Sequence, residues 1–284
     1  MFATVLMFAY TAKSHHDFIR KNYTTNNKIK KHMNKQLKNN LLLILIVSFG
    51  AIQAQAQSWQ IKKGEKLTYK IAFNSGLTGD VKGGNGVMSV SPRLSKINGK
   101  DVYHAVMEGS TSGVIEWFYQ VENKYETFID TATKAPLMYA QYVRENKYKN
   151  NDTVFFDQNK NIATYKNKKI KIPANTHDFL SMLYYVRTLD MSKLKKGDTF
   201  TIPFFTQDKV VNSKIIYNGI EKVKNRKFGL LDCYSFKPEV AKGKVFNQDY
   251  PATMWVTADN QRLPVLVEAK MKVGKVKMEL IKSE

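Results

Sequence analysis

Cysteine is almost absent. The 284-residue chain has one, Cys233, which excludes an intramolecular disulfide and any site built from two or more thiolates. Histidine is scarce as well: beyond residue 57 only His104 and His177 remain, far apart, so no HExxH zinc pair can form. With 7 Pro and 15 Gly the chain is neither collagen-like nor proline-rich. No repeat of about 20–50 residues and no sustained heptad is present, which sets aside solenoids and coiled coils. Acidic residues are the minority charge, 24 against 45 Lys+Arg. The longest apolar run, Leu41 to Ile52, is about a dozen residues, whereas a bilayer-spanning helix takes about 20.

That run has the form of a secretory signal. Lys35 and Lys38 precede it after Met33, and Ala54-Gln55-Ala56 follows as a small-residue cleavage site. The expected organisation is therefore a spurious or disordered extension over 1–32, a signal peptide over 33–56, and one exported β-rich domain over 57–284. No Cys follows the run, so the exported product is expected in the periplasm or medium without a lipid anchor. Removing the first 56 residues leaves 37 Lys+Arg against 23 Asp+Glu, a net charge of +14. The domain itself is basic, and it is long enough to bury a core.

Hydrophobic residues then alternate with a period of two, the mark of strands with one dry face. Leu67, Tyr69, Ile71 and Phe73 share a face opposite Thr68 and Lys70, and Asn98-Gly99 is a hairpin turn signal. Glycines 76, 79, 83, 84 and 86 predict a loose connection before Val87. The final hairpin alternates from Val265 through Val273, bends at Gly274 and continues through Leu280. One segment has helical spacing instead: Phe179, Met182, Leu183 and Val186 form an apolar stripe, with Asn175 or Thr176 as the expected cap and Asp178 near the positive helix end. A second, short helix is expected over Val114–Phe118. The fold class is mainly β, of α+β type: a curved antiparallel sheet or half-barrel with a central helix packed on it.

The segments Lys63-Gly64-Glu65-Lys66-Leu67-Thr68-Tyr69, His177 to Thr188, and Met254-Trp255-Val256-Thr257 with Leu263-Pro264-Val265 together resemble the bacterial exported domain-of-unknown-function family number 3108. The resemblance spans nearly all of residues 58–284 and implies an envelope protein without assigning an activity. The closing Trp-Val-Thr, polar turn, Leu-Pro-Val pattern is similar, more distantly, to periplasmic lipoprotein carriers and other lipid-binding half-barrels. It implies a sheet closing over helices around an apolar groove.

Catalytic patterns are sparse. Gly109-Ser110-Thr111-Ser112-Gly113 has Thr where a nucleophile elbow needs Ser, and reads as a polar loop. His104 reads as a sheet residue and His177 as a capping or surface residue. Asp178 and Arg187, nine residues apart, face opposite sides of a helix and require separate partners; anchoring of the helix is the leading role for both, with headgroup recognition by Arg187 as the alternative. Glu116, Glu122 and Glu126 show no cleft spacing. Clusters such as Lys166, Lys168, Lys169 and Lys171 lack the aromatic platforms of nucleic-acid readers, so no nucleic acid is expected. No metal or cofactor is implied.

The leading expectation is a non-enzymatic envelope protein that holds a lipid or lipidated partner in a sheet-helix groove. Trp117, Phe179, Tyr184, Tyr185, Arg187 and Trp255 are the candidate ligand-binding residues. The alternative is a structural or assembly factor whose basic surface contacts an anionic envelope surface, a polysaccharide or a protein partner; an enzyme acting on a surface polymer ranks third.

Overall fold

A computed structural model describes residues 61–74, 79–206, 208–240, 248–272 and 274–284. The two leader segments, Gly76 of the glycine-rich connection and Val273 of the last hairpin lie outside the described residues.

The strands are β1 (Lys66–Asn74), β2 (Asp80–Val90), β3 (Ser95–Ile97), β4 (Lys100–Thr111), β5 (Val121–Asp130), β6 (Pro136–Glu145), β7 (Tyr148–Asp157) and β8 (Ile162–Tyr165). They continue with β9 (Lys168–Lys171), β10 (Thr199–Thr206), β11 (Lys209–Asn225), β12 (Gly229–Pro238), β13 (Ala252–Thr257), β14 (Pro264–Lys270) and β15 (Lys275–Ser283). Helix α1 spans Val114–Phe118 and α2 spans Phe179–Thr188. All fifteen strands belong to one antiparallel sheet of order β10-β11-β12-β13-β14-β15-β1-β2-β4-β5-β6-β7-β8-β9, with β3 paired to β4. Consecutive strands pair nearly throughout, as short turns require.

The sheet is curled. Helix α2 packs against both β10 and β5, which are nine strand steps apart. In a flat sheet that interval would span roughly 43 Å at about 4.8 Å per step, far beyond a helix about 10–12 Å across. The two ends of the sheet come together through side chains: Phe205 of β10 stands edge-on to Phe156 of β7 and Tyr165 of β8, at ring-centroid distances of 5.9 and 6.2 Å. The expected curved sheet with a central helix is therefore the observed fold. It forms a half-barrel that aromatic packing draws together, with no closing ladder of strand hydrogen bonds among the described residues.

Two glycine-rich features differ from the sequence expectation. Gly83, Gly84 and Gly86 lie inside β2 rather than in a connection. A Cβ on Gly84 would sit 2.1 Å from the Ser110 carbonyl oxygen, so glycine here permits close backbone approach to β4. Likewise Gly109, Ser110 and Thr111 end β4; the polar loop is limited to Ser112 and Gly113. Gly274 does occupy the last bend, with φ of 72°.

Candidate functional site

Asp178, not Asn175 or Thr176, caps α2. Its carboxylate accepts the Leu180 and Ser181 amides, both at 2.8 Å, while Ser181 Oγ accepts the Asp178 amide at 3.0 Å. The resulting capping box satisfies donors that every helix start leaves orphaned. Thr127 of β5 donates its hydroxyl to the other carboxylate oxygen at 2.7 Å, which fixes the helix start on the sheet. His177 is buried instead of exposed. Its amide donates to Pro203 O and its carbonyl accepts from the Phe205 amide, a parallel bridge on the β10 edge, and its ring packs on Tyr185 at 4.5 Å.

The far end of α2 is held as firmly. Arg187 is 1% exposed and forks onto Glu65, with Nη1–H to Oε2 at 2.8 Å and Nη2–H to Oε1 at 2.7 Å. Its Nε–H donates to Arg262 O at 2.8 Å, and Arg262 in turn donates to the Arg187 and Leu189 carbonyls at the helix end. Asp178 and Arg187 thus have the separate partners that their spacing demanded, and both anchor the helix.

Between these two anchors, the stripe Phe179, Met182, Leu183 and Val186 roofs a cavity of about 90 Å³. Its floor is the inner face of the sheet: Met88 and Met107 from β2 and β4, Ile215 and Phe236 from β11 and β12, Met254 from β13, and Val267 and Met278 from β14 and β15. Half-buried Pro238, Glu239 and Thr253, with Met182 and Leu183, frame its mouth. Five of the lining residues are methionines, whose unbranched thioethers repack around irregular apolar shapes. Ser213, Thr253 and Glu239 are the polar members of the wall. A larger depression of about 260 Å³ mixes Ile97, Leu137, Phe155 and Phe156 with Lys100, Asp157 and Gln158, so an apolar guest there would desolvate charged and amide groups that the space under α2 largely lacks.

Of the six residues singled out in the sequence, Phe179 alone lines this cavity. Tyr184 is buried in the core beside Arg187, the guanidinium 5.5 Å from its ring centre, and Tyr185 packs on His177. Arg187 is consumed by Glu65. Trp255 alternates with Met254 and therefore points to the opposite sheet face, where its Nε1–H donates to Glu221 at 2.6 Å. Trp117 stands on α1, 85% exposed. Aromatic content is a misleading guide because Tyr184 and Tyr185 are spent on packing within the fold, Trp255 on the opposite face of the sheet and Trp117 on an exposed helix. The methionines that line the cavity carried only the signal of their alternation and of the helical stripe.

No group of three or more His, Cys, Asp or Glu side chains able to hold a metal occurs among the described residues. Cys233 is buried, and burial pushes its thiol up to about 12. His104 bonds Glu126 at 3.0 Å and stacks on Phe128, while Glu122 meets Arg144 at 3.7 Å.

His177 and Asp178 carry opposed pH dependences. Burial lowers the imidazole to about 4, and burial raises the carboxyl to about 6 against hydrogen bonds from Ser181, Thr127 and Leu180. The contribution of Asp178 to stability is full below 3.8 and is lost as pH rises through about 6. That of His177 is full above 6.5 and is lost as pH falls toward about 4. Their slopes offset in the shared window. Asp178→Asn, which keeps a capping oxygen, unmasks the histidine: stability should fall on acidification through this window by up to about 1.4 kcal/mol per pH unit relative to the parent. Urea titrations across that range check the slope; parallel curves for the two proteins would contradict it.

Fold and site together define a helix-plugged antiparallel half-barrel with an apolar interior cavity. The chain belongs to the family described as proteins of unknown function, DUF3108, whose model matches residues 66–281. Among solved structures it is similar to a beta-barrel-like protein of domain of unknown function DUF1849 from Brucella abortus. That match has 10% identity and a TM-score of 0.54, and covers 80% of this chain and 98% of that one. At this identity the likeness shows the fold alone. A DUF1089 family protein from Pseudomonas aeruginosa matches at 10% identity over 63% of this chain and 87% of its own, with a TM-score of 0.36. No curated protein matches the sequence.

Proposed function

We propose that this protein is a non-enzymatic binding protein of the bacterial envelope that holds an acyl chain, from a lipid or a lipidated partner, between α2 and the sheet. The observation that carries the reading is the cavity itself, an apolar, methionine-lined space of about 90 Å³ under the helix that seats part of a chain as it stands and widens for the rest as the methionines repack. Apolar surface leaving water gains about 25 cal/mol per Å², about 0.8 kcal/mol for each methylene buried, and the wall offers few polar groups that such a guest would desolvate. A linear chain suits the site better than a rigid ring system, because methionine walls yield along a flexible guest. The signal-like segment over 33–56 supports placing this activity outside the cytoplasm.

The test is a fluorescence titration with N-phenylnaphthylamine, which brightens in apolar surroundings. Saturable enhancement, reversed by palmitate but not by a water-soluble short-chain acid, is the expected result. Absence of saturable binding would sink the acyl-chain reading and leave the sheet with a purely structural role.

A further inference from the structure

Helix α1 is a five-residue element with no buried residue, and its two largest side chains face outward, Trp117 at 85% and Phe118 at 76% exposure. Exposing such rings at a loop tip costs solubility unless something covers them. Beside them the β6–β7 turn carries Tyr148 between Lys147 and Lys149, all exposed, and it is tied to the α1 exit by the Asn146 amide donating to Gln120 O at 2.9 Å. Exposed Lys82, Lys270 and Lys272 stand at the same end of the sheet. The acids of this end are Glu116, Glu122, Asp80, Glu268, Asp249 and Glu239; Arg144 engages Glu122, Arg226 engages Asp80 and Lys275 engages Glu268, so the lysines outnumber the remaining acids.

The strand register places this end relative to the cavity. Thr111, where β4 hands over to α1, pairs with Gly84, and the line of partners continues through Ile71, Met278, Val267 and Met254 to Phe236. The residues past this line on the α1 side include Thr253 and Pro238, which with Glu239 belong to the cavity mouth. The aromatic tip, the lysines and the mouth therefore occupy one rim.

We propose that this rim docks on the surface of an anionic lipid bilayer, with Trp117 and Phe118 inserted at the headgroup level and Lys82, Lys147 and Lys149 against the lipid phosphates. Aromatic rings that prefer the membrane interface, flanked by exposed lysines, match that surface in both polarity and charge. An acidic protein would satisfy the lysines but leave the rings without an apolar medium. The docking rests on the acyl-chain reading for its consequence, delivery of the cavity mouth to the bilayer, but its geometry stands independently of what fills the cavity.

The test uses the full chain with vesicles of phosphatidylglycerol and phosphatidylethanolamine bearing brominated acyl chains, which quench tryptophan on contact. Quenching is expected on the parent, strongly reduced in Trp117→Phe, weakened by raised salt or by Lys147→Glu with Lys149→Glu, and small on phosphatidylcholine vesicles. The Trp117→Phe difference isolates the α1 signal from the other two tryptophans and from lipid affinity elsewhere in the chain. No quenching, the result an acidic protein partner would give, overturns the docking, as does equal quenching of Trp117→Phe; equal quenching on neutral vesicles overturns the anionic assignment. Quenching together with an empty cavity would refute the cargo reading and leave the docking standing, whereas bound acyl cargo without quenching would do the reverse.

Discussion

Glu65→Ala lowers the free energy of unfolding by about 3–5 kcal/mol, the cost of stranding one member of a buried ion pair. Arg187 would keep its bonds to the Arg262 and Gln261 carbonyls but lose both charge-assisted contacts while remaining 1% exposed. Against a typical total of about 5–15 kcal/mol, that loss is large enough to populate the unfolded chain at ordinary temperatures. The reverse change, Arg187→Met alone, should be comparably damaging because it strands the Glu65 carboxylate. Glu65→Leu combined with Arg187→Met removes both charges and should recover most of the deficit, since apolar replacement of a buried pair is often neutral or favourable. Urea unfolding of the two single variants and the double variant measures this. Additive losses in the double variant would contradict the assignment of this pair as the clamp at the end of α2.

Val267→Phe tests the cavity from within. Val267 lies on the floor between Met254 and Met278, its strand partners, and a phenyl ring there points beneath the helical stripe. In a filled core such an insertion costs about 1–3 kcal/mol. Into open space it should cost less than about 1 kcal/mol, while weakening N-phenylnaphthylamine binding at least tenfold. Tight binding with unchanged stability would mean that the guest sits elsewhere; lost stability of several kcal/mol would mean that no space was there to fill.

Much of this fold was legible from periodicity. Leu67, Tyr69, Ile71 and Phe73 alternate as β1 does, Asn98-Gly99 turns β3 into β4, and the Phe179-Met182-Leu183-Val186 stripe both predicts α2 and roofs the site. What escaped depends on partners remote in sequence. Glu65 is 122 residues from Arg187, and no local spacing pairs them. The glycines of β2 look like a loop until Ser110 is seen beside Gly84. The 17-residue β11 runs on past Gly219, whose φ of 94° and register shift mark a bulge that the glycine alone would suggest as a stop. The site was half legible: its roof came from helical spacing, whereas its methionine-rich floor is assembled from seven strands whose order only the register supplies.

Whether the space under α2 takes an acyl chain decides what the fold is for. Organic extraction of protein isolated from its native host without detergent, followed by lipid mass spectrometry, asks this directly. The expected result is an acyl lipid present in near-stoichiometric amount and depleted from Val267→Phe isolated in parallel. Protein that comes out free of lipid, from both parent and variant, would contradict it.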